Sequence, residues 1–422
     1  MSSLYLPELT RLNTVTDTVT SMDFHPTELI IAASFIDSTN LINRNYITKL
    51  LRLLPDGTID ETPIETLQEN THSPVAFSPN GQFLATGTRP SSSSILLKVL
   101  PNSPSGNIMS YFIGHHEWIT SIAFDPTGHF FATGSSDHTA RVWQVVPDGR
   151  AATCLAILTD HYSIVTSVVF SPTGSFLATG SPDNTVKLWC RDTNWTCIAS
   201  LDQSIGGGIY GVESIISFHP TLSLLAVGLK YGTVTLWQKK TDDDTNWTHI
   251  KTMKEHEQEV HSVAFHPDGL FFATGSLDST VKIWMLTNDK SIVKCVHTIF
   301  CPYMVNEIKF HRCGKFMAVL TYEGTLILYD TSILIQKKTE LLARQGIARL
   351  LAQQLSTDHT STDKGLDIIR EQKITREVDA ANQSLQVAVL NSIEAQAKWK
   401  RGKGGRISMK KRKINKRKSY CK

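Results

Sequence analysis

Four residue types recur together in this chain at one spacing, and they are the types of a catalytic relay. His115, Thr133, Asp137 and Trp143 form one set. His161, Thr179, Asp183 and Trp189 form a second, and His256, Thr274, Asp278 and Trp284 a third. His and Trp stand 28 residues apart in each. An imidazole held between a hydroxyl and a carboxylate is how a hydroxyl becomes a nucleophile. Two features turn the reading towards structure. A catalytic constellation is needed once, and this one is present three times. Each set also carries Trp, whose indole N–H donates and never accepts. Buried polar groups must be paired, and a satisfied network pins its strands in one arrangement. The sets are therefore expected to be structural networks, and no residue is assigned as catalytic.

The elements that must position them are repeats. The sets end in near-identical phrases, "ATGSSDHTARVW" at 132–143, "ATGSPDNTVKLW" at 178–189 and "ATGSLDSTVKIW" at 273–284. An aromatic before a turn marks each unit: Phe24, Phe77, Phe124, Phe170, Phe218, Phe265 and Phe310, at spacings of 45 to 53 residues. From the third to the sixth anchor it is 19 residues to Trp143, Trp189, Trp237 and Trp284, and from Phe310 it is 19 to Tyr329. Each unit reads as short strands. "ITSIAFDP" alternates, "HFFATGS" and "TARVWQV" follow, and Ser136-Asp137-His138 turns between the last two, since Asp caps tight turns. A weaker fourth run follows each aromatic except the last. Four antiparallel strands in about 45 residues make one propeller blade.

Motif, period and copy number agree, and over roughly residues 5–330 the units resemble WD repeats; Gly114-His115 also matches that family. The resemblance implies an all-β, seven-bladed propeller. It also implies that each full set forms a buried chain from Trp to Thr to His to Asp. The Asp that ends the family signature is replaced by Gln144, Cys190, Gln238 and Met285, and units one and two lack the Asp-to-Trp spacing. Seven inner triplets are followed by only six outer strands, near 61–67, 108–113, 151–158, 195–201, 247–253 and 294–300. The N-terminal "LYLPELTRL" is expected to supply the seventh by pairing with 325–329. That seals the ring and removes an open edge, and Pro7 is tolerated on an outer strand.

Composition bounds the class. Hydrophobic residues make up 41% and charged residues 19% of the 422, with no apolar run near the ~18 residues of a membrane span. No secretory signal is visible at the start, so an intracellular site, nucleus or cytoplasm, is expected. The seven Cys form no CxxC pair, which suggests neither zinc nor a disulfide scaffold. "GGG" at 206–208 lacks the Lys-Ser/Thr of a phosphate loop. No metal or cofactor is expected, and no enzyme.

Carried over by offset, the resemblance places an exposed face just before each anchor Phe and each turn Asp. The anchor-side positions are Thr18, Thr20, Thr71, Ser73, Trp118, Thr120, Ile164, Thr166, Val212, Ser214, Glu259, His261, Met304 and Asn306. The turn-side positions are Ser136, Pro182, Lys230, Leu277 and Tyr322. Aromatic, Met and apolar groups among few charges suit a protein partner. The expected contact set is Trp118, Thr120, Ile164, Thr166, Lys230, Glu259, His261, Leu277, Met304 and Tyr322.

Beyond the repeats the pattern changes. Residues 331–397 read as a helical arm, with helices near 333–355 and 366–397. Residues 398–422 hold 13 Lys or Arg and no acid, which leaves a net charge of −10 on the remainder. Such a tail repels itself and is expected to be disordered. Lys410, Lys411, Arg412, Lys413, Lys416, Arg417 and Lys418 suit an import receptor, or the phosphates of RNA or DNA. The expectation is a non-enzymatic scaffold or adaptor for protein partners, with no membrane contact. The alternative is a nucleic-acid or ribonucleoprotein-associated factor working through the tail.

Overall fold

The alternating runs fold into seven four-stranded antiparallel sheets. The computed structural model describes residues 6–12, 17–37, 45–67, 71–88, 93–98, 107–145, 151–202, 215–239, 246–286 and 293–337, all within the compact unit Met1–Thr339. In the third blade Ile119–Phe124, Phe130–Ser135, Ala140–Val145 and Ala152–Leu158 pair in that order. Every residue of the second strand is buried. It has a strand on each side and another blade against each face, so burial does not alternate along it, and its polar Thr133 and Ser135 are hydrogen-bonded. The outer strand alternates half-buried with exposed residues, as expected of an edge with one wet face.

Each blade's inner strand packs on the next, from Asp17–Phe24 around to Val305–Phe310, and the last packs on the first. The blades thus form a closed β-propeller. The strand Glu8–Leu12 pairs antiparallel with Leu326–Asp330, Leu12 opposite Leu326 and Glu8 opposite Tyr329. The Pro7 carbonyl accepts the Asp330 amide at 3.0 Å. Both ends of the described chain therefore build one blade. Its Leu12, Leu326 and Leu328 share a buried cluster with Val19, Met22 and Phe35 of the first blade. Full burial of side chains of this size contributes roughly 1.5–3 kcal/mol each.

Side chains on the inner strands tie neighbouring blades together. Ser21 Oγ accepts the Val75 amide (3.3 Å), Ser121 the Val168 amide (3.1 Å) and Ser262 the Ile308 amide (2.9 Å). At the closing seam Glu307 stands at the position held by Ser21, Ser121, Ser167 and Ser262 in their blades, and its Oε2 accepts the Met22 amide at 3.1 Å. Lys309 Nζ lies 3.7 Å from both Asp23 Oδ1 and Glu307 Oε1. These strands line a central cavity of about 460 Å³.

A bulge repeats on the outer strands. Opposite Trp143, Trp189, Trp237 and Trp284 the outer strand carries one extra residue: Leu155, Ile198, Ile250 and Val296. Bulges re-aim side chains and increase local twist. The residue then set against each Trp is Cys154, Cys197, His249 or Cys295. Three cysteines that look unrelated in the sequence, Cys154, Cys197 and Cys295, thus share one structural place, and they are free thiols. Burial pushes the Cys197 and Cys295 thiols up.

Residues 332–337 are helical, where the sequence reading begins a helix. The rest of the expected arm, the basic tail, and Val212 and Ser214 lie outside the described residues. Among the described residues no helix is long and apolar enough to cross a membrane.

Candidate functional site

The three polar sets are geometrically alike. Trp143 Nε1 donates to Thr133 Oγ1 at 3.0 Å, Thr133 Oγ1 lies 2.7 Å from His115 Nε2, and His115 Nδ1 lies 2.8 Å from Asp137 Oδ2. The same three distances are 2.9, 2.7 and 2.8 Å in the second set and 2.8, 2.7 and 2.9 Å in the third. The ends fix the proton direction. Trp can only donate and ionised Asp can only accept. Thr therefore accepts from Trp and donates to Nε2, and the ring donates from Nδ1. Both uses of each hydroxyl are taken, and Thr133, Thr179 and Thr274 have no exposed surface. The arrangement holds strands together; it offers no hydroxyl to a substrate.

Burial raises the Asp137 and Asp183 carboxyls, but hydrogen bonds from His and Thr and from the next backbone amide outweigh it. Both sit well below the usual carboxylate range. Asp278 is lowered by the same contest, with Thr280 and the Glu257 amide pulling hardest. Burial lowers His256, so its ring is held neutral.

The phrase around each Asp builds a face. Asp137 Oδ2 also accepts the His116 amide (3.1 Å), and its Oδ1 accepts the Thr139 amide (3.0 Å). Ser135 Oγ donates to Glu117 O at 3.2 Å and accepts the Asp137 amide at 3.1 Å. One carboxylate and one hydroxyl thus lash the turn after the second strand to the loop before the first. The turn amides of Ser136, Leu277 and Tyr322 complete the link by donating to Trp118 O, Glu259 O and Met304 O at 2.9, 3.0 and 2.9 Å. Gly134 lies where a Cβ would meet Val165 Cγ1 of the next blade at 2.9 Å, so this step of the phrase admits no side chain without movement. The positions chosen by offset on either side of the loop are therefore neighbours in space.

What stands on this face differs in part from the sequence expectation. Trp118, Met304 and Tyr322 are 57%, 46% and 49% exposed. Ile164, Lys230, Glu259 and Leu277 are half-buried. His261 is a correction: it is buried, covered because Tyr322 Oη lies 3.2 Å from its Nδ1 and Glu259 Oε2 3.9 Å from its Nε2. Thr120 and Thr166 are half-buried, and their hydroxyls donate to Val165 O and Gly180 O, so they serve the backbone first. The sequence reading missed Tyr162 (88% exposed), Tyr231 (46%) and Tyr303 (47%). Tyr162 follows the His of its set directly, as His116 and Glu257 do in theirs. That position could have been sampled; the offsets used skipped it.

A second family of histidines works at the opposite end. His25, His219 and His266 are buried, and their Nε2 atoms lie 3.2, 2.8 and 2.9 Å from the carbonyls of Gly81, Gly269 and Gly314 in the following blade. Nδ1 of His25 accepts the Glu28 amide at 2.9 Å and that of His219 the Leu222 amide at 3.0 Å. The "FHP" phrases thus supply blade-to-blade ties. Among the described residues, no group of three His, Cys, Asp or Glu is placed to hold a metal ion.

The model of the WD domain, G-beta repeat, matches residues 106–144, 152–190 and 247–285, the three units that carry complete sets. The chain is similar to eukaryotic translation initiation factor 3 subunit I of Candida glabrata, 30% identical over 20% of this chain and 25% of the relative. It is similar to one component of chromatin assembly factor 1 of Mus musculus, 28% identical over 24% of this chain and 18% of the relative. It is also similar to cleavage stimulation factor subunit 50 of Arabidopsis thaliana, 27% identical over 19% of this chain and 21% of the relative. The matches span about a quarter or less of the lengths of these relatives.

Proposed function

We propose that this chain, which belongs to the WD-repeat β-propeller family, works as a non-enzymatic scaffold that docks protein partners on the face carrying Trp118 and Tyr322. The observation behind the reading is that large side chains stand exposed there on hydrogen-bonded loops. Aromatic and Met side chains on preordered loops lose little freedom on binding and dominate interface energetics. The relatives' names fit a component of larger assemblies. Their chromatin and translational settings suit a chain that works in the nucleus or cytoplasm.

A second reading rests on the charge run Lys410–Lys418: a ribonucleoprotein-associated factor whose tail meets phosphates or an import receptor. One experiment addresses both. Tagged full chain and Trp118→Ala are used to capture partners, with and without nuclease, and the proteins are identified by mass spectrometry. The scaffold reading expects a partner lost with Trp118→Ala and retained after nuclease. Capture indifferent to Trp118 and abolished by nuclease would favour the tail.

A further inference from the structure

The loops of this face carry a charge bias as well as rings. Among the described residues of the loops before the first strands and the turns after the second, Glu117, Asp160, Glu255, Glu257 and Glu323 are exposed and Glu259 is half-buried. Outside the three network aspartates, the cation set against them is Lys230. Acid and ring come as neighbours: Glu117 beside Trp118, Asp160 two before Tyr162, Glu323 after Tyr322. Aromatic faces attract ammonium and guanidinium groups through the ring quadrupole, Trp most strongly. Adjacent carboxylates add charge pairing and repel acidic segments and phosphates. The loops are fixed by the turn-to-loop hydrogen bonds described above, so rings and carboxylates are presented together without prior ordering.

We propose that this face takes a Lys- and Arg-rich segment of a protein partner, its cations lying on Trp118, Tyr162 and Tyr322 and paired with the flanking carboxylates. The proposal rests on the docking reading and narrows it to one partner chemistry. An oligonucleotide is the wrong sign for this face.

The test is fluorescence anisotropy on the full chain with labelled octa-arginine, with octa-glutamate and oligouridylate as counter-probes. Three variants are compared by thermal melting and then by titration. Two lie on the face, Trp118→Ala/Tyr162→Ala and Glu257→Gln/Glu259→Gln. The third, Glu61→Gln/Asp192→Asn, removes two exposed carboxylates from the opposite end of the blades. The expected result is octa-arginine binding that weakens roughly tenfold in each face variant and is unchanged in the third. No octa-arginine binding, or equal weakening in all three, overturns the proposal. So does oligouridylate binding that falls with the face variants, which would make the occupant a nucleic acid. A partner captured through Trp118 by a chain that ignores octa-arginine would sink this inference and leave the docking reading standing.

Discussion

Histidine serves this molecule in two ways, and the difference is which ring nitrogen carries the proton. In the polar sets Asp takes a hydrogen bond from Nδ1–H and Thr gives one to Nε2. In the "FHP" phrases backbone amides occupy Nδ1, and Nε2–H reaches a glycine carbonyl of the next blade. Each residue is told apart by its partners, since an imidazole alone permits both. Asp183→Ala leaves the Nδ1–H of His161 and the Tyr162 and Thr185 amides without their acceptor. The expected cost is about 1–3 kcal/mol, read from urea unfolding near neutral pH. The sign with pH follows from the depressed carboxyl. An Asp lowered in the folded state stabilises above its unfolded value of about 3.9, and that contribution is lost as pH falls below it. The wild type should therefore lose stability below about pH 4, and the gap to Asp183→Ala should narrow there. A gap constant through that range would show that the carboxylate's charge contributes nothing.

At the scale of the element, the strand Glu8–Leu12 has the most to do for its length. It completes the last blade, and two of its side chains separate packing from charge. Leu12 is buried among Leu326, Leu328 and Val19. Arg11 pairs with Glu8 at 2.9 Å, with the side chains 35% and 37% exposed. Leu12→Ala should cost about 2–5 kcal/mol. Arg11→Ala should cost less than about 1 kcal/mol, because solvent screens an exposed pair. Denaturant midpoints of the two variants check the order, and the reverse ranking would mean that the strand is held by its charges. Closure by this strand was legible: six outer strands for seven inner triplets left one place, and the N-terminal run had no other partner. The bulge opposite each Trp was not legible. Cys154 lies 11 residues after Trp143, whereas Cys197 lies 8 after Trp189. Connections of different length erase from the sequence a register that pairing restores.

At the scale of the whole molecule, the last blade is the one whose third and outer strands are not continuous in the chain, and its inner strand meets that of the first blade at the closing seam. There the serine tie is replaced by Glu307, and Lys309 and Asp23 gather beside it. Burial raises Glu307, and against burial the carboxylates Asp23 and Glu307 raise Lys309, so the trio stands as a coupled unit. Glu307→Ala removes the Met22 amide's acceptor and one of the two anions near Lys309. It should destabilise by about 1–3 kcal/mol. Glu307→Gln, which keeps an acceptor oxygen, should lose less. Melting curves order the pair, and equal losses would assign the effect to charge alone.

The sequence by itself determined the blade. A period near 45 residues, alternation within strands, and a donor-only Trp spaced to a Thr and an Asp leave little freedom in how one unit folds, because each signal is local. The family resemblance, carried over by offset, pointed to Trp118, Met304 and Tyr322 as members of one face. The tertiary structure decided what the units do to one another. It covered His261 with Tyr322 of the next blade and left Tyr162 exposed. Those outcomes depend on approaches between residues far apart in the chain. A repeat fixes each unit's own geometry, but exposure and charge at a shared face are sums over several units, and no single unit encodes the sum.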